Sequence, residues 1–152
     1  MWRALYTALL VAALPFILAR LWWRGRREPG YREAIAERFG RSALEPKPKL
    51  LWLHAVSVGE ARACAPLVRA LQREHPDHDV LVTCLTASGR ETVKQVYGES
   101  VLLAYLPYDY PRAVRRFLEH YRPRLGVLVE TEIWPNLMHA CRQYGVPVVL
   151  AN

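Results

Sequence analysis

From Leu50 onward, short apolar runs recur between amphipathic stretches, and each run breaks off into a cluster of small and polar residues. The runs cover residues 50–56, 80–85, 101–106, 125–129 and 146–150. They are nearly continuously apolar rather than alternating, which is how a strand reads when both faces of its sheet are covered. Between the runs lie helix-period segments. Residues 60–74 carry a stripe of Ala61, Cys64 or Ala65, Val68 and Leu71, with Pro66 expected to kink that helix or delay its start. Residues 90–97 form the next segment. Asp109 is placed to cap a third that runs through Tyr121 with Pro111 in its first turn, and a fourth ends near Gly145. Strand and helix in regular alternation specify an α/β fold, here a Rossmann-like parallel sheet over residues 50–152.

A parallel sheet sends the carboxyl end of every strand to one edge, and the loops that follow the strands form the ligand crevice there. The polar residues of interest cluster in those loops. His54, Ser57, Gly59 and Glu60 follow the first strand, and Thr86, Ser88 and Gly89 follow the second. Tyr108 and Asp109 follow the third, and Glu130, Thr131 and Glu132 the fourth. A dinucleotide site needs a G-x-G-x-x-G turn after the first strand, and only Gly59 is present, so NAD and FAD are excluded. Gly59 lets backbone approach a ligand closely, and Ser88 with Gly89 offers amides to an anion; both fit ordinary helix starts equally well. Glu60 has two readings. It is either a first-turn carboxylate favoured by the helix dipole or a general base that takes a proton from a substrate hydroxyl.

The first 23 residues are a different material. Between Trp2 and Trp23 only Arg3, Thr7 and Arg20 are clearly polar, and the segment as a helix would be roughly 33 Å long, enough for a hydrocarbon core of about 30 Å. Tryptophans stand at both ends, Arg24, Arg26 and Arg27 follow, and no small-x-small cleavage site separates the two. Residues 2–23 are therefore expected to be a transmembrane or monotopic anchor with the body of the protein on the cytoplasmic side. Residues 24–49 form a basic, amphipathic connector, in which 31–40 has a short helical pattern with Gly40 as its stop.

Lys and Arg outnumber Asp and Glu by 21 to 14, a formal charge of +7. An anionic partner such as lipid headgroups or a phosphorylated substrate fits that excess, as does simple solubility. Cys64, Cys84 and Cys141 are widely spaced within apolar segments and read as buried thiols of a reducing compartment, without a metal or redox motif.

Four motifs stand in order behind the anchor: His54-Ala55-Val56-Ser57-Val58-Gly59-Glu60, Thr86-Ala87-Ser88-Gly89-Arg90-Glu91-Thr92, Tyr105-Leu106-Pro107-Tyr108-Asp109 and Glu130-Thr131-Glu132-Ile133-Trp134-Pro135-Asn136-Leu137. Together they resemble the N-terminal half of bacterial 3-deoxy-D-manno-octulosonic acid (Kdo) transferases. The resemblance implies a GT-B glycosyltransferase whose N-terminal domain binds acceptor lipid and whose C-terminal domain binds CMP-Kdo. It implies transfer of Kdo to a phosphorylated lipid A precursor (lipid IVA) with inversion and without a cofactor, at the bacterial inner membrane. It also implies Glu60 as general base, Glu130 as transition-state stabiliser, and Ser57, Gly59, Ser88, Gly89 and Glu132 around the substrate. No nucleic acid partner is expected. The donor domain is expected beyond Asn152, so these residues alone should not turn over. Two rival readings are a truncated, membrane-tethered lipid-binding module and a transferase that uses another nucleotide sugar on a lipid.

Overall fold

The computed structural model describes residues 2–129 and 134–151. Its centre is a five-stranded, wholly parallel sheet in the order β3-β2-β1-β4-β5. The strands are β1 (Leu50–His54), β2 (Asp79–Cys84), β3 (Leu102–Tyr105), β4 (Leu125–Val129) and β5 (Val148–Ala151). Each lies within two residues of the run that predicts it. The chain winds outward from β1 to β3, then crosses back so that β4 pairs with the other side of β1, with Leu51 opposite Leu125. That reversal between β1 and β4 is a topological switch point, where the loops diverge and leave a crevice.

Helices cover both faces. α2 (Val58–Ala63), α3 (Ala65–Glu74) and α4 (Ala87–Tyr97) lie on one, and α5 (Pro111–Tyr121) and α6 (Pro135–Gln143) on the other. Successive strand residues feed opposite layers. Leu53, Val80 and Val82 pack with Ala61, Val68 and Val93, while Leu50, Trp52 and Leu81 pack with Phe117, Leu118 and Leu137. Trp52 is fully buried. Its ring meets Phe117 edge-on at 5.3 Å, and its Nε1 donates to Thr83 Oγ1 at 2.8 Å. Gly126 makes room for the indole, since a Cβ there would lie 2.8 Å from Trp52 Cε3. All three cysteines are buried and free, as expected.

The single helix expected over residues 60–74 is two. Pro66 has no N–H for the Arg62 carbonyl, and its ring would crowd that carbonyl in a continuous helix. The chain breaks at Cys64, and Pro66 falls in the first turn of α3, where no donor is needed.

The N-terminal segment is the helix α1 (Trp2–Arg24), long and apolar enough to cross a membrane. It does not project away from the domain. Arg3, Tyr6, Thr7, Leu10, Ala13, Leu14, Ile17, Leu21 and Arg24 are the residues partly or fully covered, a helical stripe along its whole length. Thr7 and Arg3 reach Asn136, and the Tyr110 hydroxyl donates to the Leu10 carbonyl at 2.8 Å. The opposite face leaves Trp2, Leu5, Leu9, Phe16, Trp22 and Trp23 exposed.

The connector differs from the helix expected over 31–40. It holds two 3₁₀ turns, Pro29–Tyr31 and Glu37–Phe39, separated by Ala34 at φ 49°. Ile35 stays exposed, and Arg38 is buried in its place. The cause is hydrogen bonding to the sheet edge: Tyr108 N–H donates to the Arg38 carbonyl at 2.9 Å, and Tyr105 N–H to Glu37 Oε2 at 2.8 Å. Gly40 does end the segment, at φ 76°. A Cβ there would sit 2.0 Å from the Ala113 carbonyl oxygen. Gly40→Ala should cost about 3 kcal/mol, combining left-handed strain with backbone overlap. A denaturant midpoint unchanged from wild type would contradict this.

Candidate functional site

The turn after β1 is built by reciprocal capping. Ser57 is the N-cap of α2, and its Oγ accepts from Glu60 N–H at 3.3 Å. Glu60 reaches back, and its Oε2 accepts from Val56 N–H at 2.7 Å. This is a variant of the capping box, displaced by one residue, and it fixes the carboxylate over the turn. Oε1 has no donor among the described residues, so one oxygen is held by backbone while the other is open to a ligand.

A groove of about 390 Å³ opens at this point, lined by Ser57, Gly59, Glu60, Cys64, Val129 and others. Val129 is the last residue of β4, so the groove occupies the switch point between β1 and β4. Gly59 is exposed, and a Cβ there would meet only Ser57 Oγ, at 3.8 Å. Nothing among the described residues requires glycine at 59. Burial, followed by the nearby Glu60 charge, pushes the Cys64 thiol up, which makes it a poor nucleophile at neutral pH. Glu130 and Glu132 lie outside the described residues.

The second loop is less open than expected. α4 starts at Ala87 rather than Arg90, because Thr86 is its N-cap and accepts from Gly89 N–H at 3.0 Å. The Gly89 amide is thus already bonded, and the residue is small because a Cβ would lie 2.8 Å from Thr86 Oγ1 and 3.1 Å from the Val56 carbonyl. Ser88 is exposed. Arg90, beside it, is spent on Glu37 at 2.8 Å.

His54 also leaves the set of crevice residues. It is fully buried, with Nδ1 2.9 Å from Thr83 Oγ1, and burial lowers its pKa from 6.5 to about 4. Between those values the unfolded chain binds a proton that the native state refuses, so stability is complete above pH 6.5 and falls as pH drops toward 4. The loss should reach about 3 kcal/mol. His54→Asn, which keeps a group near Thr83, should remove this component from the difference between the two proteins' stability–pH curves. Parallel curves would contradict it.

A second cavity, about 380 Å³, lies on the other side of the β1 turn. Leu10, Ile17, Arg20, Leu21 and Arg24 of α1 form one wall, and Arg38, Val56, Thr86, Tyr108, Asp109 and Trp134 contribute to the rest. Val56 joins the two spaces, since its backbone N–H holds Glu60. Asp109 does not cap α5, whose N-cap is Tyr110. Its carboxylate crosses instead to α6, accepting from Asn136 N–H at 2.9 Å and Leu137 N–H at 2.8 Å. Burial raises its pKa, while these amides pull it back down.

Comparison with known proteins gives this layout an owner. A family model described as 3-deoxy-D-manno-octulosonic-acid transferase (kdotransferase) matches residues 33–152. The 3-deoxy-D-manno-octulosonic acid transferase of Haemophilus influenzae is 42% identical over all of this chain and 36% of its own length. That of Bordetella pertussis is 44% identical, again over the whole chain and 37% of its length. A probable mitochondrial 3-deoxy-D-manno-octulosonic acid transferase of Arabidopsis thaliana is 37% identical over 97% of the chain and 33% of its own. The chain belongs to the Kdo transferase family of glycosyltransferases and corresponds to its N-terminal half. It spans about a third of the length of the curated relatives it matches.

Proposed function

We propose that this chain is the acceptor-binding half of a GT-B enzyme that transfers Kdo from CMP-Kdo to a lipid A precursor, lipid IVA, with Glu60 as general base. The observation that carries the reading is the Glu60 carboxylate, fixed through Oε2 and open at Oε1, in a groove at the switch point of the sheet. The reaction needs one proton removed and one bond exchanged. Glu60 takes the proton from a glucosamine hydroxyl of the acceptor as that oxygen attacks the anomeric carbon of Kdo. The bond from that carbon to the CMP phosphate oxygen breaks, CMP leaves with the electron pair, and attack from the opposite face inverts the centre. Glu130 stabilises the charge that develops in this step. The donor is held by a second domain supplied by the rest of the protein, and no metal takes part.

The covered stripe of α1 favours a monotopic helix over a spanning one, because a helix packed along a polar domain for its full length cannot also cross the bilayer. Its outer face would lie in the cytoplasmic leaflet of the inner membrane. Arg26 stacks on Trp22 at 4.1 Å and Arg27 on Trp23 at 5.5 Å, pairs suited to the headgroup level.

A donor panel tests the reading against the nearest rival. The full-length protein, given the phosphorylated disaccharide lipid, should transfer from CMP-Kdo and not from UDP- or GDP-sugars. Comparable transfer from another nucleotide sugar would replace Kdo in this proposal.

A further inference from the structure

We propose that the cavity beneath α1 binds the phosphate of an anionic lipid, with Arg38 as its buried ligand. Arg38 is 2% exposed. Its Nη1 donates to the Leu85 carbonyl at 3.0 Å, whereas Nε and Nη2 are buried without a hydrogen-bond partner among the described residues. The guanidinium lies over the Tyr105 ring at 3.9 Å, a cation–π contact. Among the described residues no carboxylate forms an ion pair with it; the adjacent Glu37 turns its Oε2 to Arg90 and to Tyr105 N–H instead. A buried cation without a counter-ion is costly, and a fork with two open N–H groups matches a phosphate.

The surroundings define the rest of the ligand. Arg20 and Arg24 also line this cavity. Among the described residues Asp109 is the acid that lines it, and each of its oxygens accepts from an α6 amide. Leu10, Ile17 and Leu21 supply an apolar wall from a helix whose other face is exposed and apolar. A negatively charged head on an apolar body fits both halves of that lining. The inference rests on the acceptor reading above for the identity of the natural lipid, but the site itself is tested by binding and not by transfer.

The test uses the full-length protein in dodecyl maltoside micelles, titrated by calorimetry with dihexanoyl phosphatidate, dihexanoyl phosphatidylcholine and inorganic phosphate. Wild type should bind phosphatidate at least tenfold more tightly than either other probe. Arg38→Gln should lose that preference, and Arg38→Lys, which keeps the charge without the planar fork, should retain part of it. Equal affinity for phosphatidate and phosphatidylcholine would overturn the proposal, as would wild-type selectivity in Arg38→Gln. Inorganic phosphate binding as tightly as phosphatidate would overturn the lipid half and leave a free-anion site. Should Arg38→Gln fail to fold, the Arg20→Gln, Arg24→Gln double variant decides: several-fold weaker phosphatidate binding supports the site, and unchanged binding overturns it. Selectivity in a protein that transfers no Kdo would sink the function and spare the site. Kdo transfer without selectivity would do the reverse.

Discussion

Glu60→Gln in the full-length protein should leave acceptor-lipid binding within about twofold of wild type and slow Kdo transfer by about 10²- to 10⁴-fold, the range general-base catalysis supplies. The substitution is nearly isosteric, and the amide oxygen of Gln can still accept from Val56 N–H, the bond that positions the side chain at 2.7 Å. α2 keeps its Ser57 cap as well. What is lost is the capacity to take a proton. Steady-state rates and acceptor affinity measured on the same preparation separate the capping role of this residue from the catalytic one. A rate near wild type would leave Glu60 as a capping carboxylate and nothing more.

Asp109→Ala should be the most destabilising of the polar substitutions, by about 3 kcal/mol. The carboxylate is buried and accepts from two backbone amides of α6, which α6 cannot satisfy itself because its N-cap is Trp134, a residue with no side-chain acceptor bonded there. Removing it strands two buried donors at once. The Asn136 side chain also bonds the Asp109 carbonyl at 2.7 Å and touches Thr7 of α1, so the loss should loosen α1 on the domain. Asp109→Asn, with one acceptor oxygen left, should fall between Ala and wild type. Denaturant midpoints for the three proteins check the order, and an Asp109→Ala protein within about 0.5 kcal/mol of wild type would contradict it.

The sheet is readable from the chain because continuous apolar runs leave few alternatives, and β4 falls on the very residues its run marks. Strand ends are less so. Pairing of the last strand starts at Val148, after Pro147, although the apolar run begins at Val146. The capping role of Ser57 and Glu60 is visible as a local pattern, since both partners lie within four residues. Proximity in sequence assigns Asp109 to the nearest helix, α5, yet it caps α6, 27 residues away. One signal points there: α6 begins Trp134-Pro135 with no Ser, Thr or Asp at its cap, so its amides need a distant acceptor. Arg38 leaves no signal at all. Its burial follows from Glu37 and Arg38 pairing with the sheet edge, a long-range match that overrides the helical pattern of the connector. The apolar length of α1 likewise does not say whether the helix spans or lies flat. The covered stripe from Arg3 to Arg24 is the observation that supports the flat reading proposed above.

CMP release by the full-length protein, supplied with CMP-Kdo in the presence and absence of the phosphorylated disaccharide lipid, bears most directly on whether this half-enzyme presents an acceptor to a Kdo donor. Release should require the lipid and match, mole for mole, the Kdo found on it. Release that proceeds equally without the lipid, or a folded full-length protein that releases none with it, would contradict the assignment.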